Sequence, residues 1–180
     1  MEQIEVERKY LVKFDTWEQV FNLFDDVVTI KRIEQVYLKP LSKDSFAPRI
    51  RKTVEGFKNK KTYFDINQKK PVGSIANKEK EKKISEEEYK KYLKHKDPTK
   101  NFVNKTRIVF KYKNQVFELD IFKDKLGGLA ILEIELDDKK EKVDLPPYLK
   151  IIKDVSKDEK FNNFNLSDIK IKGFKNGRII

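Results

Sequence analysis

The sequence contains no cysteine. Disulfides, thiolate metal sites and cysteine nucleophiles are therefore excluded. Histidine occurs once, as His95 in a lysine-rich stretch, which disfavours imidazole acid–base or zinc chemistry. Any metal must be held by oxygen, a donor set that suits Mg2+, Mn2+ or Ca2+. No apolar run approaches the roughly 18 residues of a membrane span, and the acidic, strand-like start is unlike a signal peptide. The expectation is a cytoplasmic protein without a membrane partner.

What the chain has in abundance is charge of both signs. Its 180 residues carry 41 Lys and Arg against 30 Asp and Glu, a net +11. That length suits a single domain over residues 1–180 with a real core. A basic surplus favours a polyanionic partner such as a phosphate chain, a nucleotide or nucleic acid. A highly charged, solvated surface explains it equally well.

Hydrophobic periodicity predicts mostly strands. Expected strands cover 28–39, the Arg49-Ile50-Arg51 stretch, 61–68, 102–112, 115–123 and 129–137, with turns at Glu55–Asn59 and Gly127-Gly128. A helix carrying Trp17, Val20, Phe21 and Phe24 follows a cap at Asp15 or Thr16. A second covers 86–94 behind Ser85, with Glu86, Glu87 and Glu88 in its first turn. A short helix is expected at 161–166. Lys69 to Asn77 reads as a loop. Residues 79–84 fit either a charged strand or a helix start, and the basic segment after residue 170 has no assignment.

The first strand puts Glu5, Glu7 and Lys9 at alternate positions, so they share one face. The two carboxylates sit roughly 7 Å apart, an unfavourable placement without a cation or basic neighbours. The same spacing recurs in acidic pairs at Glu79/Glu81, Glu118/Asp120 and Glu133/Glu135, and in basic pairs at Arg49/Arg51 and Lys105/Arg107. Any one of these strands fits a half-solvated antiparallel sheet. The whole set fits a closed barrel whose charged faces point inward and whose apolar faces lie under helices. Such a lumen can hold a polyphosphate through Arg and Lys, with carboxylates gripping divalent cations.

In this order the motifs resemble the CYTH, or triphosphate tunnel metalloenzyme, family. They run from Glu5-Val6-Glu7-Arg8-Lys9 through Gln35-Val36-Tyr37-Leu38, Arg49-Ile50-Arg51, Glu79-Lys80-Glu81, Lys105-Thr106-Arg107, Glu118-Leu119-Asp120 and Glu133-Ile134-Glu135. They end at Val155-Ser156-Lys157-Asp158 and Phe161-Asn162-Asn163. The resemblance implies an α+β, predominantly β fold: a closed eight-stranded antiparallel barrel, or tunnel, with helices outside, in which 77–84 is a strand. It also implies a metal-dependent triphosphatase using Mg2+ or Mn2+ on a triphosphate small molecule, inorganic tripolyphosphate first. Thiamine triphosphatase and class IV adenylate cyclase are the alternatives, and this chain lacks the His-Phe pair near the N-terminus of the cyclase-like members.

On this resemblance, Glu5, Glu7 and Lys9 are the catalytic candidates. Lys9, Arg49, Arg51, Lys69, Lys105 and Arg107 are the substrate-binding candidates. Glu5, Glu7, Glu79, Glu81, Glu118, Asp120, Glu133 and Glu135 are the metal candidates. Two positions depart from the family. Asn67, Gln68, Lys69 and Lys70 compete for the lysine that ends the fourth strand, and Asn77 stands where an arginine is frequent, with Lys78 as a substitute phosphate contact. A non-catalytic polyphosphate- or nucleic-acid-binding module is the rival class. It has no need for acids facing the bases, so nucleic acid is disfavoured as a partner; a homodimer stays an open option.

Overall fold

The computed structural model describes residues 3–13, 20, 26–40, 47–56, 58–72, 75–175 and 178–180. Eight strands carry the architecture: β1 (Gln3–Lys13), β2 (Val27–Tyr37), β3 (Arg49–Glu55), β4 (Lys61–Pro71), β5 (Ala76–Lys83), β6 (Val103–Tyr112), β7 (Gln115–Phe122) and β8 (Ala130–Leu136). They pair antiparallel in the order β5-β4-β3-β2-β6-β7-β8-β1, and β1 also pairs with β5. The sheet is thus a closed barrel, which removes its edges and divides every strand into an inner and an outer face.

The turns have local causes. Lys113 and Asn114 both adopt positive φ, 46° and 64°, in the two-residue link between β6 and β7. That is the type I′ geometry that matches strand twist. Gly56, at φ +91°, begins the β3–β4 turn, where a Cβ would lie 3.0 Å from the Asn59 carbonyl oxygen. This hairpin falls where the sequence places it.

The outer face is the main hydrophobic core. Val6, Tyr10, Ile108, Phe110, Phe117, Leu119, Leu132 and Ile134 pack there with Val20 and Leu149. Helix α1 (Glu86–Leu93) covers another part of the outside. Ser85 accepts from the Glu88 backbone N–H while the Glu88 side chain accepts from the Ser85 N–H, a full capping box. Tyr89 is buried on the barrel, with its ring 5.0 Å from that of Phe64, over Val36 and Ile50.

Several sequence expectations change. β4 continues through Pro71 and β5 begins at Ala76, so both ends of the expected 69–77 loop are strand. Cross-strand pairing of Lys69 with Glu79 and Pro71 with Asn77 extends the ladder. A ninth strand, β9 (Lys150–Asp154), adds to the far end of β1 across a bulge at Leu11/Val12. It is mostly exposed, and backbone pairing rather than side-chain pattern defines it. The segment at residue 170 and beyond contains a small hairpin of β10 (Phe174–Lys175) and β11 (Arg178–Ile179). The expected helix with Trp17, Phe21 and Phe24 lies outside the described residues except for Val20.

The inner face is not charged along its whole length. Leu11, Val103, Phe122 and Ile131 belong to a second apolar cluster with Leu126, Leu129, Val155, Phe161 and Leu166. These four continue the inward-facing rows of Lys9, Lys105, Asp120 and Glu133. A 3-10 turn (Glu159–Phe161) and the one-turn helix α2 (Asn163–Leu166) seat on this cluster. The β10–β11 hairpin packs on it through Phe174 and Ile179. One end of the barrel is therefore plugged on its β6–β8 side.

Candidate active site

Register builds the site. On one wall Glu7 lies opposite Glu135, Lys9 opposite Glu133, and Glu133 opposite Glu118. On the other wall the rows are Tyr37–Arg49–Asn67–Glu81 and Gln35–Arg51–Asp65–Lys83. The floor is β6, where Arg107 faces Asp120 and Lys31. These faces enclose a cavity of about 490 Å³, within the range of small-molecule sites. A second cavity, about 390 Å³, shares Glu7, Lys9, Arg49, Lys69 and Asn163 with the first and opens beside the α2 segment.

The acids and bases hold one another. Lys9 Nζ donates to Glu133 at 2.6 Å and lies 3.3 Å from Glu7. Burial alone would lower the Lys9 pKa, but Glu133 and Glu7 outweigh it and the ammonium is held firmly charged. Burial would likewise raise the Glu133 pKa, yet Lys9, Arg107 and Lys105 keep it well below the ordinary carboxylate value. Lys69 Nζ reaches Glu7 at 3.3 Å, and Arg49 reaches Glu79 at 3.7 Å. Arg107 forks onto Asp120 with two 2.7 Å hydrogen bonds, and its Nη2 also donates to Glu133 at 2.6 Å. It pairs with Glu118 as well.

Asp120 also takes Lys105, and both side chains of that pair are essentially inaccessible. Burial, reinforced by Arg107, lowers the Lys105 pKa to about 8 against the pull of Asp120. Lys105 sits at the junction with the plug, its Nζ 5.5 Å from the centre of the Phe122 ring.

Arg51 is the exception. Among the described residues it forms no ion pair, and its Nε is buried without a partner. Burial and the adjacent Arg49 lower its pKa to about 10, against the pull of Asp65, so it is still a cation at neutral pH.

Among the described residues, seven bases and eight carboxylates line the main cavity. The +11 surplus of the chain therefore lies outside the barrel, and the lumen by itself offers no net attraction to a polyanion. Two like-charged pairs, Glu7–Glu135 and Glu118–Glu133, face each other directly, a placement that favours an added cation. Their all-oxygen chemistry fits a hard divalent ion. As the side chains stand, no three carboxylates among the described residues converge as a ready-made metal site.

The structure brings Glu7, Lys9, Arg49, Arg51, Lys69, Glu79, Glu81, Arg107, Glu118, Glu133 and Glu135 to the main cavity. Lys105 and Asp120 lie beneath it. Glu5 pairs in register with Asn77, and its side chain is not among those described. Of the four contenders at the end of β4, Lys69 and Asn67 face inward. Asn67 donates to Glu79, and Asn77 donates to Glu7 at 3.3 Å. Lys78 is exposed on the outer face and does not replace the missing arginine inside.

Sequence reasoning assigns no role to Gln35, Tyr37, Asp65, Tyr63 or Asn163. The first four share the inner face with the arginines of β3 by register, a signal that exists only once strand pairing is known. Tyr63 lines the cavity, and Phe64, which borders it too, packs against Tyr89 of α1. Asn163 enters from α2 and lines both cavities.

Comparison with known proteins agrees with this architecture. A family model described as CYTH domain matches residues 3–161. Among solved structures, the inorganic triphosphatase NE1496 aligns at 23% identity over 91% of this chain and 93% of that one, with a TM-score of 0.57. HpAC1 from Hippeastrum, described as having a dominant triphosphatase activity, aligns at 15% identity over 74% and 80%, with a TM-score of 0.54. The PH1819 protein of Pyrococcus horikoshii OT3 aligns at 20% identity over 75% and 80%, with a TM-score of 0.55. At these identities the likeness is one of fold. The search of curated proteins found no match.

Proposed function

The chain belongs to the CYTH family, and from that premise we propose that it is a metal-dependent triphosphatase, with inorganic tripolyphosphate as its first substrate. The observation that carries the reading is Arg51. A guanidinium buried inside a charged barrel is costly unless an anion completes it; Arg51 has no ion pair among the described residues and lines a cavity of the right size.

Arg49, Arg51, Lys69 and Arg107 then hold phosphate oxygens, the arginines through planar, paired donors. Lys9 moves from Glu133 toward the same phosphates. Glu7, Glu118, Glu133 and Glu135, with Glu5 on the same strand, are freed to hold Mg2+ or Mn2+, and Glu79 and Glu81 complete the acidic lining. Such an ion, when bound, neutralises phosphate oxygens and acidifies water. The near-neutral lumen explains why a cation is needed: without one, the eight carboxylates repel the substrate. Asp120 has both oxygens engaged by Arg107 and Lys105, so its role is to aim Arg107 rather than to bind metal. Water attacks the terminal phosphorus in line as the bridging P–O bond breaks. Orthophosphate and pyrophosphate leave, and the water proton passes to a carboxylate or to solvent. Catalysis is positioning and charge neutralisation.

The test is phosphate release from tripolyphosphate, ATP and thiamine triphosphate, each with Mg2+, Mn2+ or chelator. Chelator-sensitive release, fastest from tripolyphosphate and lost when Glu5 and Glu7 are both changed to Ala, is the expected result. Tight binding of tripolyphosphate without release from any compound would overturn the enzyme reading in favour of a binding module. ATP conversion to pyrophosphate without free phosphate would point to a cyclase.

A further inference from the structure

Among the inner-face side chains that the chemistry above leaves unused is Gln35. Gln35 is fully buried, and neither its Nε2 nor its Oε1 has a protein partner among the described residues. An amide in that condition is expensive to bury, and such groups in native proteins have a partner or a purpose. Its neighbours share the condition. Gln35 lies directly opposite Arg51, and Arg51 directly opposite Asp65. Arg51 Nε and Asp65 Oδ1 are also buried and unpartnered. Residues opposite one another on one face of a sheet are close enough to share a ligand.

The chemistry of the row selects that ligand. Arg51 Nε offers a proton, while Asp65 Oδ1 and Gln35 Oε1 both accept. A phosphate oxygen could answer the arginine but not the carboxylate. Gln35 also does not reach the cavity lining, whereas Arg51 and Asp65 do. One water molecule answers three of these four atoms, accepting from Arg51 Nε and donating to Gln35 Oε1 and Asp65 Oδ1, which is the usual count for a buried water; Gln35 Nε2 is the atom it leaves over. Burial also raises the Asp65 pKa, with Arg51 opposing, as expected for a carboxylate short of donors.

We propose that Gln35 is a positioning residue of the triphosphate site, fixing the Nε edge of Arg51 through a shared buried water so that the remaining guanidinium donors face the substrate. This rests on the triphosphatase reading. It adds a reason for the amide: a carboxylate at position 35 would hold Arg51 equally well but would cancel the charge the substrate needs.

The test compares the full-length protein with Q35M, which keeps side-chain length and removes the polar atoms. The KM for tripolyphosphate with Mg2+ should rise about tenfold, the equivalent of one well-placed hydrogen bond, with kcat changing less. The thermal midpoint should stay close to wild type. The Arg51 Nε–H resonance, protected from exchange in wild type, should exchange rapidly. An active Q35M with unchanged KM and unchanged Arg51 protection would overturn the proposal. So would parallel loss of kcat, KM and thermal midpoint, which marks an ordinary packing role. If Q35M does not fold, Q35E decides: it keeps the acceptor, so Arg51 protection persists while KM rises at least as much, and loss of protection overturns the proposal. Wild-type protein that releases no phosphate would sink the triphosphatase reading instead, and the Arg51 exchange comparison would still decide the role of Gln35.

Discussion

Arg107 grips Asp120 through both Nε and Nη2, each 2.7 Å from a different carboxylate oxygen, and Asp120 has no solvent exposure. This fork ties β6 to β7 at the boundary between the charged lumen and the apolar plug. Lys105 shares the same carboxylate, so one buried anion anchors two cations.

Replacing Asp120 with Asn should therefore be severe. It keeps the shape but leaves Lys105 buried against a neutral group and Arg107 with only Glu118 and Glu133. A loss of about 3 kcal/mol or more is expected, the scale for breaking a buried ion pair from one side. Denaturant unfolding measures it. A change under about 0.5 kcal/mol, the size of an ordinary surface substitution, would mean that the fork does not anchor the barrel.

Glu133 makes a prediction about pH. Its folded-state pKa lies well below the ordinary value, so the unfolded chain takes up its proton first as pH falls. Its contribution is complete above the unfolded pKa of about 4.3. That contribution is lost progressively as pH drops from there through the depressed folded value. E133Q should flatten the acid limb of the stability-against-pH curve. In the enzyme assay the same variant should need roughly tenfold or more Mg2+ for half-maximal rate, the scale for disturbing a metal's surroundings.

Asn77 donates to Glu7 from the position next to Ala76 at the start of β5. An arginine there would add a phosphate donor but also compete with metal for Glu7. N77R should lower the KM for tripolyphosphate severalfold while raising the Mg2+ requirement. Steady-state titrations of substrate at fixed Mg2+, and of Mg2+ at fixed substrate, separate the two effects. Movement of both in the same direction would contradict the placement of Asn77 between substrate and metal.

The end plug depends on a lysine. Lys100 is 5% exposed, stands 3.7 Å above the Phe164 ring and donates to the Phe164 carbonyl oxygen at 3.0 Å. K100M keeps the aliphatic stem but loses the cation and its hydrogen bond. A loss of about 1–2 kcal/mol is expected, together with faster amide exchange across residues 162–167. Uniform exchange acceleration through the barrel strands would show instead that Lys100 supports the whole fold.

Legibility from sequence follows the range of the forces involved. The capping box at Ser85 and Glu88, the Glu55–Asn59 turn and the alternation in β1, β3 and β6–β8 are local and could be read directly. β9 could not, because mostly exposed side chains leave no pattern and the strand it pairs with, β1, is far away in sequence. The extension of β4 to Pro71 was hidden for a similar reason: the lysines and proline there look like loop until Glu79 and Asn77 pair with them. The site candidates share an i, i+2 signature with many solvated strands, and their ordered family resemblance made them stand out. Gln35 lay within one of the family motifs but carried no charge to suggest a role, and Asp65 had no such mark.

The sequence by itself determined which residues share a strand face, because the side-chain period of a strand is two wherever the strand lies. It also determined that the lumen's metal chemistry would be oxygen-based, since the chain has no thiol and only one imidazole. Tertiary structure alone decided which face is inside, because only closure through the β1–β5 pairing turns a charged surface into a lumen. It alone decided which charges neutralise one another and where Leu11, Val103, Phe122 and Ile131 replace charge with a plug. It alone left Arg51 without an ion pair among the described residues. Those outcomes depend on Coulomb and desolvation terms between strands distant in sequence, which alternation along a single strand does not encode.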